Sequence, residues 1–311
     1  MKPILILLSS TFLILIIMGC ESVSYKKTAG GMPYKIFGGK GGKKVSEGKH
    51  FKINLTQAIN DSVYFSSQGK LALYFLVSDK PKPYDLSELW ETAKVGDSIV
   101  TTQMMDTFIK RSPQMIPPEF KNGDRIITYI KILDVFDSDS AREADEKNER
   151  AKFLAEEIAF IEKYLGEKKI KSQRTPGGAF VEIIDPGKGN LIDSGNYVSV
   201  KYTGVTFGGV IFDSNTDSSF GHPEPLSFVV GTGSMIKGFD EAVEFLRNGA
   251  IAKFYIPSLL AFGSNPGSDK IKPFENIIFD IRVIDVQHKA PEQTAPQASQ
   301  HTRTDTTGRK K

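Results

Sequence analysis

Cysteine is almost missing from this chain of 311 residues: Cys20 is the only one, so no disulfide can form within it. Whatever compartment it occupies, its fold is held by core packing alone. Histidine is nearly as scarce. His50, His222, His288 and His301 are scattered singly, without the spacing of a ligand set, so no metal is expected. A long apolar run is missing too. Ile4 to Met18 is the longest, broken at Ser9, Ser10 and Thr11, and it falls short of the roughly 20 residues that span a bilayer. No charge of one sign is concentrated within the folded part. Five bases and two acids between Lys289 and Lys311 account for the formal +3. With no basic face elsewhere, nucleic acid is not expected as a partner. No Gly-x-Ser-x-Gly elbow is present. The stretch "FGGKGGKK" misses phosphate-loop spacing, and "GTGSMIKG" lacks the last glycine of a dinucleotide fingerprint. No cofactor is expected.

What is present begins with a leader. Lys2 precedes the apolar run in the form of a secretory signal. The run ends in "IIMGC", which resembles a bacterial lipobox, where cleavage precedes the cysteine and its sulfur is acylated by palmitate-type chains. Residues 1–19 are therefore expected to be removed, Cys20 to be lipidated, and residues 20–29 to form a tether. Each buried acyl methylene adds about 0.8 kcal/mol, so several chains anchor stably. The expected location is the cell envelope, as a membrane lipoprotein facing the periplasm or the surface, with the outer membrane favoured. An uncleaved signal anchor is the alternative.

Two segments of the chain match each other. An offset of 147 pairs Gly31 with Gly178, Ile36 with Ile183, Gly48 with Gly195, Ile53 with Val200 and Phe65 with Phe212. "RIITYIKILDV" (125–135) matches "NIIFDIRVIDV" (276–286) at 151, so one loop differs in length. Two copies are too few for a solenoid, which points to a duplicated domain over residues 30–137 and 171–288. Each copy consists of short β-rich runs between Gly, Pro and Asn. The second holds one helical pattern, "IKGFDEAVEFLRNG", with Phe239, Ala242, Val243 and Leu246 on one face and Gly249 as its stop. Many strands around one short helix suggest an α+β domain with an antiparallel sheet.

Residues 138–170 between the copies read as a long helix. Ser140 with Glu143 fits a capping box, and Gly166 a terminator. Its first half is polar all round and is expected to be solvated. Leu154, Ile158, Ile161 and Leu165, widened by Phe160, form an apolar stripe in the second half. That stripe is expected to pack on its own chain, with homodimerisation through the linker helix as the alternative. Residues 289–311 lack any apolar period and are expected to be disordered.

The second copy carries a family resemblance. "KYTG" (201–204), "IFDSN" (211–215), "GTGSMIKGFDEAV" (231–243), "LLAFG" (259–263) and "IIFDIRVIDV" (277–286) resemble, in order and spacing, the FK506-binding-protein (FKBP) type of peptidyl-prolyl isomerases. The resemblance covers about 110 residues. It implies two FKBP-like α+β domains, each an antiparallel sheet wrapped round a short α-helix, joined by the long helix. It also implies prolyl cis-trans isomerisation of unfolded or exported polypeptides, with macrolides such as FK506 as competing ligands.

The chemistry needs no nucleophile and no metal. Rotation about the peptide bond faces a barrier of about 20 kcal/mol because the twisted state loses amide resonance. An apolar basin disfavours the polar planar amide relative to the twisted one, and that difference in binding is the catalysis. The resemblance assigns the basin to Tyr202, Phe212, Met235, Ile236, Phe239, Phe262, Ile271 and Phe279, with Asp213 at its edge. Asp213, Tyr202 and the Ile236 N–H are the expected catalytic groups. Two positions depart from the family pattern. Phe239 stands where tryptophan is common, and Phe262 where tyrosine offers a hydroxyl. The loop "NTDSSFGHPEP" (215–225) is longer than usual.

The first copy lacks these features. Leu55 aligns with Tyr202, Ser66 with Asp213 and Thr128 with Phe279, and nothing matches "AFG". It is expected to be a degenerate domain that binds unfolded chains or a partner, or spaces the second copy from the membrane. Two other functions compete with catalysis: a non-catalytic chaperone or binding module of the same fold, and a component of a cell-envelope machine such as one for gliding motility.

Overall fold

The computed structural model describes residues 24–289 apart from Lys40, Ser78, Asp79, Glu119, Pro266 and Gly267. The signal segment, Cys20, the start of the tether and residues 290–311 lie outside the described residues. The chain divides into two compact units between Glu149 and Arg150.

The first unit is built on a seven-stranded sheet. Its strands are β1 (Lys26–Lys27), β2 (Pro33–Phe37), β3 (His50–Ile59), β4 (Ser62–Ser66), β5 (Leu73–Leu76), β6 (Ser98–Met104) and β7 (Arg125–Phe136). They run β1-β2-β6-β7-β3-β4, with β5 also paired to β3. Lys26 and Lys27, which the sequence assigns to the tether, pair with Tyr34 and Pro33 and so belong to the sheet. Phe51, Ile53, Ile99 and Ile132 are fully buried in the core between the sheet and a 3₁₀ helix at Leu86–Thr92, which contributes Leu89 and Trp90. That 3₁₀ helix lies between β5 and β6, where an α-helix is expected. The unit's short α-helix, α1 (Met105–Arg111), follows β6 instead.

The second unit repeats this plan. Its strands are β8 (Gln173–Arg174), β9 (Phe180–Asp185), β10 (Lys188–Leu191), β11 (Tyr197–Thr206), β12 (Ile211–Ser214), β13 (Leu226–Val229), β14 (Arg247–Asn248), β15 (Ile251–Ile256) and β16 (Ile277–Gln287). The main sheet runs β8-β9-β15-β16-β11-β12 with β13 also on β11, and β10 pairs with β14 separately. Strand for strand this is the order of the first unit. The bulge that breaks the β3–β7 register between Lys52 and Ile53 recurs in β11–β16 between Ser199 and Val200. The internal match of the sequence is therefore a match of pairing and bulge, as well as of composition.

Inward residues of β11 alternate as strand geometry requires: Val198, Val200, Tyr202 and Thr206 are buried, with Gly204 between them. They face the helix expected from the sequence. It is short: α3 spans Lys237–Val243 only, and the expected continuation turns into β14. Phe239, Ala242, Val243 and Leu246 all enter the core as expected, Leu246 from beyond the helix end.

The long helix α2 runs from Asp139 to Lys168. Its cap is Ser138 and not Ser140: the Ser138 Oγ accepts from the Ala141 N–H at 3.2 Å. Gly166 does not end it. Lys169 takes the left-handed conformation (φ 56°), and the Ile170 N–H reaches back to the Leu165 carbonyl at 2.9 Å. The polar first half is not simply solvated. In the first unit the Lys52 ammonium, itself buried, pairs with Asp145 at 2.8 Å and Glu149 at 3.2 Å, and the Tyr74 hydroxyl donates to Asp145 at 2.6 Å. Burial works against the Asp145 charge, yet the bonds from Lys52 and Tyr74 hold its carboxyl below the usual range. In the second unit Ile158, Ile161 and Leu165 are buried against Phe180, Tyr255 and Ile278. Full burial of such side chains contributes roughly 1.5–3 kcal/mol each. Phe160 stays half exposed, edge-on to Phe207 at 5.4 Å.

Candidate active site

One cavity of about 520 Å³ in the second unit gathers all nine residues singled out in the sequence: Tyr202, Phe212, Asp213, Met235, Ile236, Phe239, Phe262, Ile271 and Phe279. Leu226, Ser234 and Ser268 also line it. Leu226 pairs with Val200 on β11, so the repeat's strand pattern contained that signal. Ser234 and Ser268 lie in loops with no periodicity to single them out.

The aromatic walls are held edge to face. Phe239, 1% exposed, is the floor, with the rings of Phe254 and Phe279 5.3 Å away at 82° and 87°. Phe212 stands edge-on to Phe279 at 5.6 Å and to Phe262 at 6.2 Å. Such pairs add about 0.5–1.5 kcal/mol beyond the area they bury, so the walls stay in place without a ligand. The space depends on Gly204, which pairs with Asp213 and Phe279 across the sheet. A Cβ there would lie 2.4 Å from the Phe212 ring and 2.9 Å from Phe279.

One carboxylate enters this apolar site. The Tyr202 hydroxyl donates to Asp213 Oδ2 at 2.6 Å, and the Ser214 N–H to Oδ1 at 2.9 Å. Burial, then the bond to Asp213, raises the Tyr202 phenol above its ordinary value, so the hydroxyl remains a donor. A third contact was not foreseen from the sequence: His222 Nε2 lies 2.8 Å from Asp213 Oδ1. Asn215 locks the start of the loop that brings His222 back. Its side chain accepts from the Tyr202 N–H and donates to the carbonyls of Val200 and Glu224.

Ile236 precedes α3, and its carbonyl accepts from the Phe239 and Asp240 N–H groups. Its own N–H sits where backbone donors have no intrahelical acceptor, on a residue that lines the cavity. Asp240 reaches back to the Gly231 N–H at 3.0 Å and ties the loop before the helix to the helix itself. Phe262 is delivered by the turn after β15, and that turn is anchored from α2. The buried Glu157 carboxylate accepts from the Ser258 and Leu259 N–H groups, both at 3.2 Å.

The corresponding region of the first unit is different. Leu55 occupies the Tyr202 place and Thr128 the Phe279 place. The hairpin equivalence needs correction by one residue. The Ser67 N–H donates to the Leu55 carbonyl as the Asn215 N–H does to Tyr202, and each side chain accepts the return bond. Ser67 therefore corresponds to Asn215, and Phe65, not Ser66, stands at the Asp213 place. Gln57 replaces Gly204, and its amide donates to the Thr128 hydroxyl at 3.4 Å.

A family model described as FKBP-type peptidyl-prolyl cis-trans isomerase matches residues 189–284. An FK506-binding protein of Neisseria meningitidis is 32% identical over 110 residues, covering 35% of this chain and 97% of its own length. Peptidyl-prolyl cis-trans isomerase FKBP53 of Arabidopsis thaliana is 38% identical over 115 residues, which is 36% of this chain but 23% of that protein. The crystal structure of FkpA from Escherichia coli is 28% identical, covers 48% of this chain and 69% of its own, and gives a TM-score of 0.36.

Proposed function

Since the chain belongs to the FKBP-type peptidyl-prolyl cis-trans isomerase family, we propose that its second unit catalyses prolyl isomerisation in the cavity floored by Phe239. The supporting observation is the convergence of five aromatic rings on one carboxylate hydrogen-bonded by Tyr202. The proline ring would enter the aromatic basin. The Ile236 N–H would hold a substrate carbonyl, and Asp213 with Tyr202 would set the field at the twisted amide. The polar planar amide loses more on entering such walls than the twisted one, so the barrier falls. The substrates would be proline-containing unfolded or exported chains, and FK506-type macrolides would compete for the same basin. The direct test is isomerisation of a short X–Pro peptide by the full chain, with and without FK506. FK506-sensitive turnover that falls sharply in Asp213→Ala supports the reading; folded protein without turnover at any concentration overturns it.

A non-catalytic binding role has its own support. Phe262 lacks a hydroxyl, and Leu55, Phe65, Gln57 and Thr128 leave the first unit without the basin's chemistry. We read that unit as a degenerate domain that binds unfolded chains or a partner, or holds the second unit away from a membrane. Service in an envelope machine would suit the same features. A homodimer through the linker helix would have to form without Ile158, Ile161 and Leu165, which are buried within one chain. Anchorage in the cell envelope, with the outer membrane favoured, rests on the leader, Lys2 and the apolar run that ends in "IIMGC". Cys20→Ser should release the protein from membranes and end acyl labelling; unchanged partitioning would point to an uncleaved anchor.

A further inference from the structure

We propose that His222 is a positioning residue for Asp213 and makes turnover respond to pH across the range in which imidazole titrates. The inference rests on the isomerase reading of the same cavity and extends it to regulation.

Both carboxylate oxygens of Asp213 are held. Tyr202 takes Oδ2, while His222 and the Ser214 N–H share Oδ1. The His222 ring lies nearly parallel to Tyr202, with centroids 6.5 Å apart and planes 26° apart. Tyr202, Asp213 and His222 thus form one chain of contacts along the cavity edge. The loop between the carboxylate and the histidine is fixed at both ends. Asn215 bonds Tyr202, Val200 and Glu224, and the Lys201 ammonium donates to the Asn215 and Pro223 carbonyls. Asp217 caps the 3₁₀ turn at Ser218–Phe220, and Lys270 lies 4.3 Å over the Phe220 ring. The imidazole is therefore delivered to Asp213 by a braced loop.

Among the described residues, Asp213 on β12 and Tyr202 on β11 contact His222 directly, Lys201 on β11 and Glu224 bond its neighbours in the loop, and Asp217 and Lys270 hold the turn before it. Of the side chains in contact with Asp213, the His222 imidazole is the one that can pass between a neutral and a cationic form. When His222 is neutral, its Nε2–H donates to Asp213 and the carboxylate charge acts on the cavity. When His222 is protonated, the same contact becomes an ion pair and its positive charge opposes that field. Both side chains are more than a third exposed (His222 49%, Asp213 37%), so solvent screens the pair and its effect on the cavity is modest. Turnover should therefore be lower in acid and rise as His222 loses its proton.

The test uses the full chain, a neutral X–Pro peptide without histidine, and protease-free exchange spectroscopy between about pH 5 and pH 8. The wild type should show a step of about threefold to tenfold in kcat, with KM changing less. His222→Gln, which keeps an amide donor without a titrating charge, should give a pH-independent rate. His222→Arg, a fixed cation, should be flat at the acid level. In parallel, the Asp213 carboxyl carbon resonance should inflect where His222 titrates, and lose that inflection in His222→Gln. A step that persists in His222→Gln, or a flat wild-type profile with measurable turnover, overturns the inference. Absence of turnover at every pH instead overturns the isomerase reading and the catalytic part of this inference with it. The carboxyl titration then still decides whether His222 holds Asp213.

Discussion

Gly204 shows how one missing atom group sets the volume of the cavity. A methyl there would collide with the Phe212 and Phe279 rings, both of which are pinned edge-on to other rings. Neither can turn aside without disturbing the floor. Gly204→Ala should therefore cost about 1–3 kcal/mol, typical of overpacking. A shift of the urea midpoint with unchanged slope would measure it; an unshifted midpoint would mean that the rings relax freely. Phe262 invites the opposite change. It lines the cavity edge-on to Phe212 without a hydroxyl to offer a substrate. Phe262→Tyr adds that donor, and a net hydrogen bond of about 0.5–1.5 kcal/mol corresponds to a gain of up to about tenfold in kcat/KM. No gain would show that the substrate carbonyl lies elsewhere.

At the scale of elements, α2 reaches the cavity indirectly through Glu157, which clamps the turn that carries Phe262. Burial raises the Glu157 carboxyl above the usual range, and the bonds from the Ser258 and Leu259 N–H groups offset this only in part. The folded state therefore binds this proton more tightly than the unfolded chain. Stability should fall as pH rises from the ordinary carboxylate value to the raised one, then level off. Glu157→Gln keeps an acceptor and removes the charge. Its urea midpoint should lack that part of the slope between pH 4 and neutrality, read as the difference from wild type; parallel profiles would sink the assignment. Periodicity made the stripe of Ile158, Ile161 and Leu165 legible in the sequence. It could not show that the charged first half docks through Lys52, because ion-pair partners are chosen by the tertiary fold. The cavity was legible because five ordered motifs fix five strands and turns around one basin. His222 was not, because nothing in the chain marks which carboxylate a loop histidine will meet nine residues away. The shift from Ser66 to Phe65 is not legible for a related reason: both hairpins keep the same one-residue bulge, and the residue that the first lacks falls in its turn, where no apolar pattern fixes the register.

For the whole molecule, the two units share a strand order and a bulge but not a chemistry. The hydrogen-bond frame survives because it depends on backbone pairing, which many side chains tolerate. The basin requires an aromatic wall, a glycine gap and a carboxylate together, and the first unit has Thr128, Gln57 and Phe65 at those places. In the first unit Gln57 and Thr128 bond each other where Gly204 and Phe279 make room for a ring. This separation predicts a clean split in the full chain. Asp213→Ala should lower FK506-sensitive turnover by about tenfold or more, and the first unit should supply no compensating isomerisation. If the first unit binds unfolded chains, the same variant should still suppress aggregation of a client that contains no proline. Both activities measured on one preparation decide the matter. Turnover that persists in Asp213→Ala would place catalysis outside the cavity, whereas loss of both activities together would assign the binding of unfolded chains to the isomerase basin rather than to the first unit.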